Sequence, residues 1–326
     1  MFVLSTIPII PVQQIYDSVL QQAGISLYIK RLDLTHPHIS GNKWYKLKYN
    51  LEEARKQNKN TLLTFGGAYS NHIVATAAVG KEFGFDTIGI IRGEKILPLN
   101  SALEFAEKCG MKLEFVSRED YKKKEDENFI YSLSLPFGEV RRGSVYLIPE
   151  GGSNMLAVKG CMEILNGNNE EFNYICCACG TGTTLAGIAL SLKEKQQAIG
   201  FSVLKGEDTL TDKVRNLMID YFANSEMQKP THMLRQAQHD GTRKWEINTN
   251  YHFGGYAKSS PDLLSFMNRF YEQHKIKLDF VYTGKMMAGI YDLVAKKYFK
   301  RGSKIVAIHT GGINAKPPSR MPKSQA

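Results

Sequence analysis

The segment at residues 40–43, Ser-Gly-Asn-Lys, places the amine of Lys43 beside two residues that favour turns. We predict that Lys43 lies on a loop just before a helix spanning residues 45–56. A lysine amine attacks an aldehyde only when it is unprotonated, so it must be partly desolvated or lie near other positive charge. A loop facing a cleft supplies this setting. Taken alone, the segment is explained more simply by an ordinary surface lysine.

The segment at residues 66–72, Gly-Gly-Ala-Tyr-Ser-Asn-His, lies between a predicted strand and a predicted helix. Its two glycines allow the backbone to approach a ligand closely. Ser70 and Asn71 then fall at the helix N-terminus, where free N–H groups attract an anion such as a carboxylate. A helix cap without any ligand explains Ser70 and Asn71 almost as well.

A third segment joins an apolar strand to a helix through Gly180, Thr181, Gly182, Thr183 and Thr184. Backbone amides, threonine hydroxyls and the helix dipole all favour a phosphate at such a turn. No Gly-Lys-Ser/Thr follows, so the segment is not a Walker loop, and it does not match GxGxxG in register. We predict a phosphate-binding turn of another kind.

Two further segments complete the set. Residues 309–312, His-Thr-Gly-Gly, follow a predicted strand, and ligands bind at such strand ends in open α/β sheets. Thr310 could offer a neutral hydroxyl to a ring nitrogen, although an ordinary strand-terminal turn explains it as well. Residues 280–285, Phe-Val-Tyr-Thr-Gly-Lys, place Tyr282 just before a predicted helix.

Short apolar runs alternate with helical patterns along most of the chain, which predicts an α/β protein with mostly parallel sheets. The continuous apolar runs are typical of parallel strands that are buried on both faces. The predicted strands span 61–65, 86–91, 111–116, 145–148, 174–179, 198–204 and 304–309. The predicted helices span 45–56, 73–83, 100–109, 155–165, 183–193, 261–274 and 285–298.

The composition narrows the class of protein. The chain has 326 residues with a formal net charge of +10, and the charge is dispersed, which argues against a nucleic-acid-binding surface. The N-terminal apolar run is broken by Pro8 and Pro11, so we expect neither a signal peptide nor a membrane span. The five cysteines make no disulfide framework, so we expect a cytoplasmic protein.

Three of the cysteines lie in one predicted strand. Alternate strand residues point to opposite faces, so Cys177 and Cys179 share one face and Cys176 takes the other. Neither a histidine nor a second cysteine pair completes four ligands. We therefore expect buried core residues and no metal site.

Together, the five segments resemble the 1-aminocyclopropane-1-carboxylate deaminase and D-cysteine desulfhydrase family, in the tryptophan-synthase-β-like group of pyridoxal-phosphate enzymes. The resemblance implies fold type II, with two open, twisted, mostly parallel sheets flanked by helices. It implies a large cofactor-binding domain of residues 1–47 and 149–313, and a small α/β domain of residues 48–148. We expect a disordered tail at 314–326. Pyridoxal 5'-phosphate as cofactor, a small amino-acid substrate and a homodimer are also implied.

The resemblance also assigns roles to residues. Lys43 matches the lysine that holds the cofactor as a Schiff base and then serves as a base. Ser70, Asn71 and His72 match the segment that holds the substrate carboxylate, with Asn71 also beside the cofactor ring. Residues 180–184 match the phosphate loop and Thr310 the residue near the pyridine nitrogen. Tyr256 and Tyr282 resemble the two active-site tyrosines.

One departure from the family pattern bears on the substrate. Deaminases of this family carry glutamate at the position of Thr283, and a threonine cannot supply a carboxylate. We therefore expect an α,β-eliminating lyase, with D-cysteine desulfhydrase activity as the first choice and the cyclopropane deaminase as the alternative. A hydrolase class is a further expectation. A protein that binds the cofactor without turnover is a third possibility, because the basic segment 229–244 could obstruct Tyr256.

Overall fold

The computed structural model describes residues 9–134, 144–167, 171–206, 209–224 and 244–312. The basic segment 229–244, except its last residue, and the tail 314–326 lie outside the described residues. The strands are β1 (Val12–Ile15), β2 (Ser26–Lys30), β3 (Thr61–Gly67), β4 (Asp86–Arg92), β5 (Lys112–Val116), β6 (Val145–Ile148), β7 (Tyr174–Cys179), β8 (Gln197–Ser202), β9 (Trp245–Asn248) and β10 (Lys304–Ile308).

The helices cover the faces of these strands. They are α1 (Ser18–Ala23), α2 (Asn42–Lys56), α3 (Asn71–Phe83), α4 (Ser101–Lys108), α5 (Glu127–Ser134), α6 (Met155–Met162), α7 (Thr183–Leu190), α8 (Leu210–Ala223), α9 (Pro261–His274) and α10 (Thr283–Ala295). No helix in the described part of the chain is long and apolar enough to cross a bilayer.

The strands form two separate sheets. One has six strands in the order β1-β2-β10-β7-β8-β9, and all its neighbours are parallel except β1 and β2. The other has four parallel strands in the order β5-β4-β3-β6. The prediction of an α/β protein with two mostly parallel sheets is confirmed.

The central strand β7 shows why its sequence is apolar throughout. Cys177 and Cys179 pack into one core cluster and Cys176 packs into the cluster on the opposite face, as the alternation of strand side chains requires. All five cysteines lie within the described ranges and none forms a disulfide. Within those ranges, no three His, Cys, Asp or Glu side chains are grouped to hold a metal.

Most predicted elements are found within a few residues of their predicted limits, and Val145–Ile148, Tyr174–Cys179 and Pro261–His274 match completely. The prediction that Lys43 lies on a loop was wrong, because α2 already begins at Asn42. The reason is Gly41, whose φ of +72° turns the chain directly into the helix. A side chain at Gly41 would lie 1.9 Å from the carbonyl oxygen of Thr310, so only glycine fits there.

Candidate active site

A single cavity brings together most of the residues predicted to do chemistry. It lies where β3, β7 and β10 end, at the carboxyl ends of parallel strands, which is the usual ligand site in such sheets. The predicted residues on its wall are Lys43, Ser70, Asn71, His72, Gly180, Thr181, Gly182, Thr184, Tyr282 and Thr310. Thr183 and Tyr256 do not line it.

Lys43 lies in the first turn of α2, and its amine faces this cavity. Its Nζ donates a hydrogen bond to Oδ1 of Asn42 at 2.9 Å, and Nδ2 of Asn42 donates to Oγ1 of Thr184 at 2.7 Å. Burial, helped by the positive charge of Lys46, lowers the pKa of Lys43 from 10.5 to about 7. The amine is therefore substantially neutral near pH 7, which is the state that attacks an aldehyde.

The Gly–Thr turn, residues 180–184, forms the part of the wall next to the start of α2, to which it is joined by the hydrogen bond between Asn42 and Thr184. Helix α7 begins at Thr183, and its first N–H groups have no partner within the helix, so they are available to an anion. Gly182 has φ +82°, and a side chain there would lie 2.5 Å from Val214. Thr183 turns its hydroxyl away to donate to Ser153 at 2.8 Å, so only its backbone is placed to meet a ligand.

Lys46 adds a second amine to the cavity. Its Nζ donates to the carbonyl oxygen of Gly151 at 3.0 Å and reaches Oγ1 of Thr181 at 3.4 Å. Burial lowers the pKa of Lys46. Sequence reasoning missed this residue, although its position three residues after Lys43 puts both lysines on one face of a helix. Two lysines and a helix N-terminus favour an anionic ligand.

Ser70 is both a helix cap and a cavity residue. Its hydroxyl oxygen accepts a hydrogen bond from the N–H of Ile73 at 3.4 Å, and its hydroxyl hydrogen can still donate to a ligand. Asn71, the first residue of α3, packs closely against the turn that follows β10. A side chain at Gly312 would lie 2.5 Å from Nδ2 of Asn71, so glycine is required for this contact.

His72 is held in one tautomer. The hydroxyl of Thr64 donates its only hydrogen to the carbonyl oxygen of Ile148 at 2.8 Å, so it must accept the bond from Nε2 of His72, also at 2.8 Å. Nδ1 of His72 is then an unprotonated acceptor, and it is buried without a partner in the described part of the chain. Burial, with the charges of Lys43 and Lys46, holds the pKa of His72 well below its usual range.

Tyr282 forms the side of the cavity next to Gly180, where a side chain would come within 3.3 Å of its ring. Tyr256 lies behind it, with ring centroids 6.2 Å apart and ring planes at 72°. Burial raises the pKa of both tyrosines, so both stay protonated near neutral pH and act as hydrogen-bond donors.

Thr283 has a structural partner instead of a place on the wall. It is fully buried, and its hydroxyl donates to Oδ2 of Asp279 at 2.7 Å. The other carboxylate oxygen of Asp279 accepts from the N–H groups of Val281 and Tyr282, at 2.9 and 2.7 Å. Asp279 and Thr283 together therefore fix the turn that presents Tyr282.

Comparison with known proteins identifies the family. Residues 5–311 match the family described as pyridoxal-phosphate dependent enzyme. The chain is a pyridoxal-phosphate-dependent enzyme. Its cofactor is pyridoxal phosphate, as predicted, and the predicted fold type II is confirmed.

This pyridoxal-phosphate enzyme is similar to known proteins along most of its length. It is 32% identical over 304 residues to a "Putative 1-aminocyclopropane-1-carboxylate deaminase" of Thermotoga maritima, covering 90% of each chain. It is 32% identical over 314 residues to the mitochondrial bifunctional D-cysteine desulfhydrase/1-aminocyclopropane-1-carboxylate deaminase of Arabidopsis thaliana, covering 89% of this chain and 73% of the relative. The crystal structure of an ACC deaminase homologue has a TM-score of 0.77 and 28% identity, covering 94% of this chain and 90% of that one.

The residues of the cavity fit this cofactor. The Gly–Thr turn and Lys46 would hold its phosphate, and the amine of Lys43, with its lowered pKa, would hold its aldehyde. Because Gly180 has no side chain, the space beside Tyr282 is open, and a flat ring can lie there. The cavity is also lined by residues to which sequence analysis assigned no role in binding or catalysis: Asn42, Lys46, Gly151, Ala178, Cys179 and Leu185.

Proposed function

We propose that this enzyme catalyses α,β-elimination from a small amino acid, with D-cysteine as its substrate and pyruvate, ammonia and sulfide as products. The observation that carries the reaction class is the amine of Lys43, whose pKa is about 7 and which shares one cavity with the Gly–Thr turn. The name of the Arabidopsis relative includes this activity.

Four cavity residues have a step in this proposal: Lys43, Ser70, His72 and Tyr282. When bound, pyridoxal phosphate withdraws electrons from the substrate α-carbon and so makes its proton easier to remove. Lys43 takes that proton as the general base, because its lowered pKa of about 7 leaves a large share of the amine neutral near pH 7. Ser70 and the N-terminal N–H groups of α3 hold the substrate carboxylate.

Tyr282 and His72 act on the other end of the substrate. The hydroxyl of Tyr282 donates a hydrogen bond to the departing sulfur, since burial keeps the hydroxyl protonated. Nδ1 of His72, fixed as an acceptor, takes a hydrogen bond from the substrate or from a water molecule beside it. The proposal does not require Tyr282 to lose its proton before it meets the substrate.

Thr283 supports the choice of D-cysteine over the cyclopropane amino acid. Deaminases of the family carry a glutamate carboxylate at this position, whereas Thr283 has a buried hydroxyl that is hydrogen-bonded to Asp279. The alternative, deamination of 1-aminocyclopropane-1-carboxylate to 2-oxobutanoate and ammonia, is supported by the names of the Thermotoga and Arabidopsis relatives. The expected hydrolase class was wrong, because elimination breaks the bond to the leaving group without water.

Other features of the enzyme remain proposals. The six-stranded sheet takes its strands from residues 1–47 and 149–313 and the four-stranded sheet from 48–148, which supports the two predicted domains, although α2 runs across residue 47. Five unpaired cysteines support a cytoplasmic location. The homodimer stays a prediction, which light scattering of the purified protein would check. Membership of the enzyme family argues against a protein without turnover.

The test has two stages. A visible spectrum before and after borohydride reduction, followed by peptide mapping, should locate the trapped cofactor on Lys43. Release of pyruvate from D-cysteine and L-cysteine, and of 2-oxobutanoate from the cyclopropane amino acid, is then measured on the same preparation. We expect pyruvate from D-cysteine at the highest kcat/KM. Faster release of 2-oxobutanoate would replace the proposal with its alternative.

A further inference from the structure

Lys285 is a fully buried lysine that the proposed reaction does not use. Its exposed fraction is 0%, and its Nζ donates to the carbonyl oxygens of Gly255 at 2.6 Å and His252 at 2.8 Å. A buried ammonium is unfavourable unless its hydrogen bonds are made, so these two carbonyl oxygens are what make its position tenable. Burial lowers the pKa of Lys285 to about 8, opposed by the charge of Asp279, and the amine stays mostly protonated at pH 7.

The two carbonyl oxygens belong to a turn, residues 252–257, with an unfavourable backbone. Phe253 and Ala257 have φ of +48° and +54°, in the left-handed region that side chains disfavour, and Gly254 and Gly255 have φ of +91° and +111°. Such conformations persist only where the surroundings impose them.

Lys285 contacts the atoms that close this turn. The carbonyl oxygen of His252 accepts the N–H of Gly255 at 3.0 Å, and that of Gly255 accepts the N–H of Lys258 at 3.1 Å. Each oxygen has a second lone pair, and the ammonium of Lys285 takes it. One side chain therefore bonds both the first residue of the turn, His252, and a residue in its middle, Gly255.

The turn carries Tyr256, which packs edge-on against Tyr282. Tyr282 is the residue just before α10, and Lys285 lies three residues further on, in the first turn of that helix. The Tyr282 ring contacts the turn through Tyr256, and the Lys285 ammonium contacts it through its carbonyl oxygens. This arrangement explains why the segment at 280–285 combines a tyrosine with a lysine.

We propose that Lys285 is a positioning residue, whose ammonium holds the 252–257 turn so that the ring of Tyr256 packs against Tyr282 and keeps its side chain in place at the cavity. The inference rests on the proposed function, because it assigns Lys285 to the orientation of the group that meets the departing sulfur. Lys285 touches neither cofactor nor substrate in this assignment.

The test compares Lys285→Met with Lys300→Met, a substitution of an exposed lysine beyond the end of α10. Hydrogen exchange is measured on the cofactor-loaded protein without substrate, in the peptide that contains residues 252–258. We expect exchange there to accelerate about tenfold or more in Lys285→Met only. With D-cysteine, we expect kcat to fall about tenfold, KM to change less than about threefold, and the visible absorbance of the cofactor to remain.

Unchanged exchange in that peptide would overturn the proposal, and so would a loosened turn with an undiminished kcat. If Lys285→Met does not fold, Gly255→Ala strains the same turn at φ +111° while the ammonium stays in place, and the same changes are expected. The exchange measurement needs no substrate. A wild-type protein that turns over no amino acid would therefore overturn the proposed function alone, while exchange still decides whether Lys285 holds the turn.

Discussion

The two sides of the cavity are held in different ways. The lysine wall, which we define as Lys43, Lys46 and the Gly–Thr turn, depends on helix N-termini and on glycines that allow close approach. The tyrosine wall, which we define as the cavity residue Tyr282 with the two residues that support it, Tyr256 and Thr283, depends on side-chain contacts: the packing of the two rings and the hydrogen bond from Thr283 to Asp279. The lysine wall supplies what any pyridoxal-phosphate enzyme needs, whereas the tyrosine wall is where a substrate can be selected.

The largest effect is expected on the lysine wall. Lys43→Ala should remove the covalently trapped cofactor and lower kcat by about 10⁴-fold, because both the attachment point and the proposed base are lost. The fold should survive, since the variant removes an amine that burial already disfavours as a cation. Borohydride trapping with peptide mapping and circular dichroism measure the two outcomes.

Lys56→Ala is the matched control, because Lys56 is an exposed lysine at the end of the same helix. It should trap cofactor and turn over substrate like the wild type. Trapping of the cofactor at another lysine in the Lys43 variant would contradict the assignment.

Thr283→Glu tests the tyrosine wall. The new carboxylate would be buried against Asp279, whose Oδ2 lies 2.7 Å from the Thr283 hydroxyl, and two like charges there are unfavourable. We expect the free energy of unfolding to fall by about 3 kcal/mol, measured by urea denaturation, with no gain of cyclopropane deamination. The single change should therefore not convert one activity into the other.

Two further variants sharpen this result. Thr283→Val removes only the hydroxyl and should cost about 1–2 kcal/mol. Combining Thr283→Glu with Asp279→Asn should recover part of the lost stability, because the repulsion is gone. A Thr283→Glu variant as stable as the wild type and active on the cyclopropane amino acid would show that the wall is less specialised than we infer.

Lys46→Met tests whether the lysine wall binds an anion. We expect cofactor affinity to fall about tenfold to a hundredfold, since a charge-assisted contact to the phosphate contributes about 1.5–3 kcal/mol. Titration of the cofactor-free protein, followed by absorbance, measures the change. Lys56→Ala again serves as the control, and equal affinities for all three proteins would remove Lys46 from the phosphate site.

The Gly–Thr turn of the lysine wall was predictable from a local pattern, whereas Tyr256 and Tyr282 were predicted only through the resemblance to the family and Lys46 was missed. The Gly–Thr turn follows from a local pattern, an apolar strand that ends in glycine and threonine before a helix. The position of Lys43 inside α2 did not follow, because it depends on the contact between Gly41 and Thr310, far apart in the chain.

The hydrogen-bond partners of His72 and Thr283 could not be predicted from the sequence either. Thr64 lies on the neighbouring strand and Asp279 precedes α10, and neither residue belongs to a recognisable motif. Only the folded chain shows that the missing carboxylate at Thr283 is replaced by a buried hydroxyl bonded to another carboxylate. A local sequence pattern can predict a site made by the backbone, but it does not predict a network of side chains that are distant in the chain.

The smallest expected effect is a shift in the pH dependence of covalent cofactor attachment, and it tests the influence of Lys46 on Lys43. The pKa of Lys43 is lowered from 10.5 to about 7, so its neutral, reactive fraction should rise with pH and level off above about pH 7. The rate at which cofactor-free protein forms its covalent link with pyridoxal phosphate should follow this curve.

Because the charge of Lys46 is one cause of the lowered pKa of Lys43, Lys46→Met should move the midpoint of the curve to higher pH, and Lys56→Ala should leave it in place. Stopped-flow absorbance from pH 5.5 to 9 measures both curves. A midpoint near that of an ordinary lysine in the wild type would mean that the amine of Lys43 is solvated, and the lysine wall would then lack the property on which its chemistry depends.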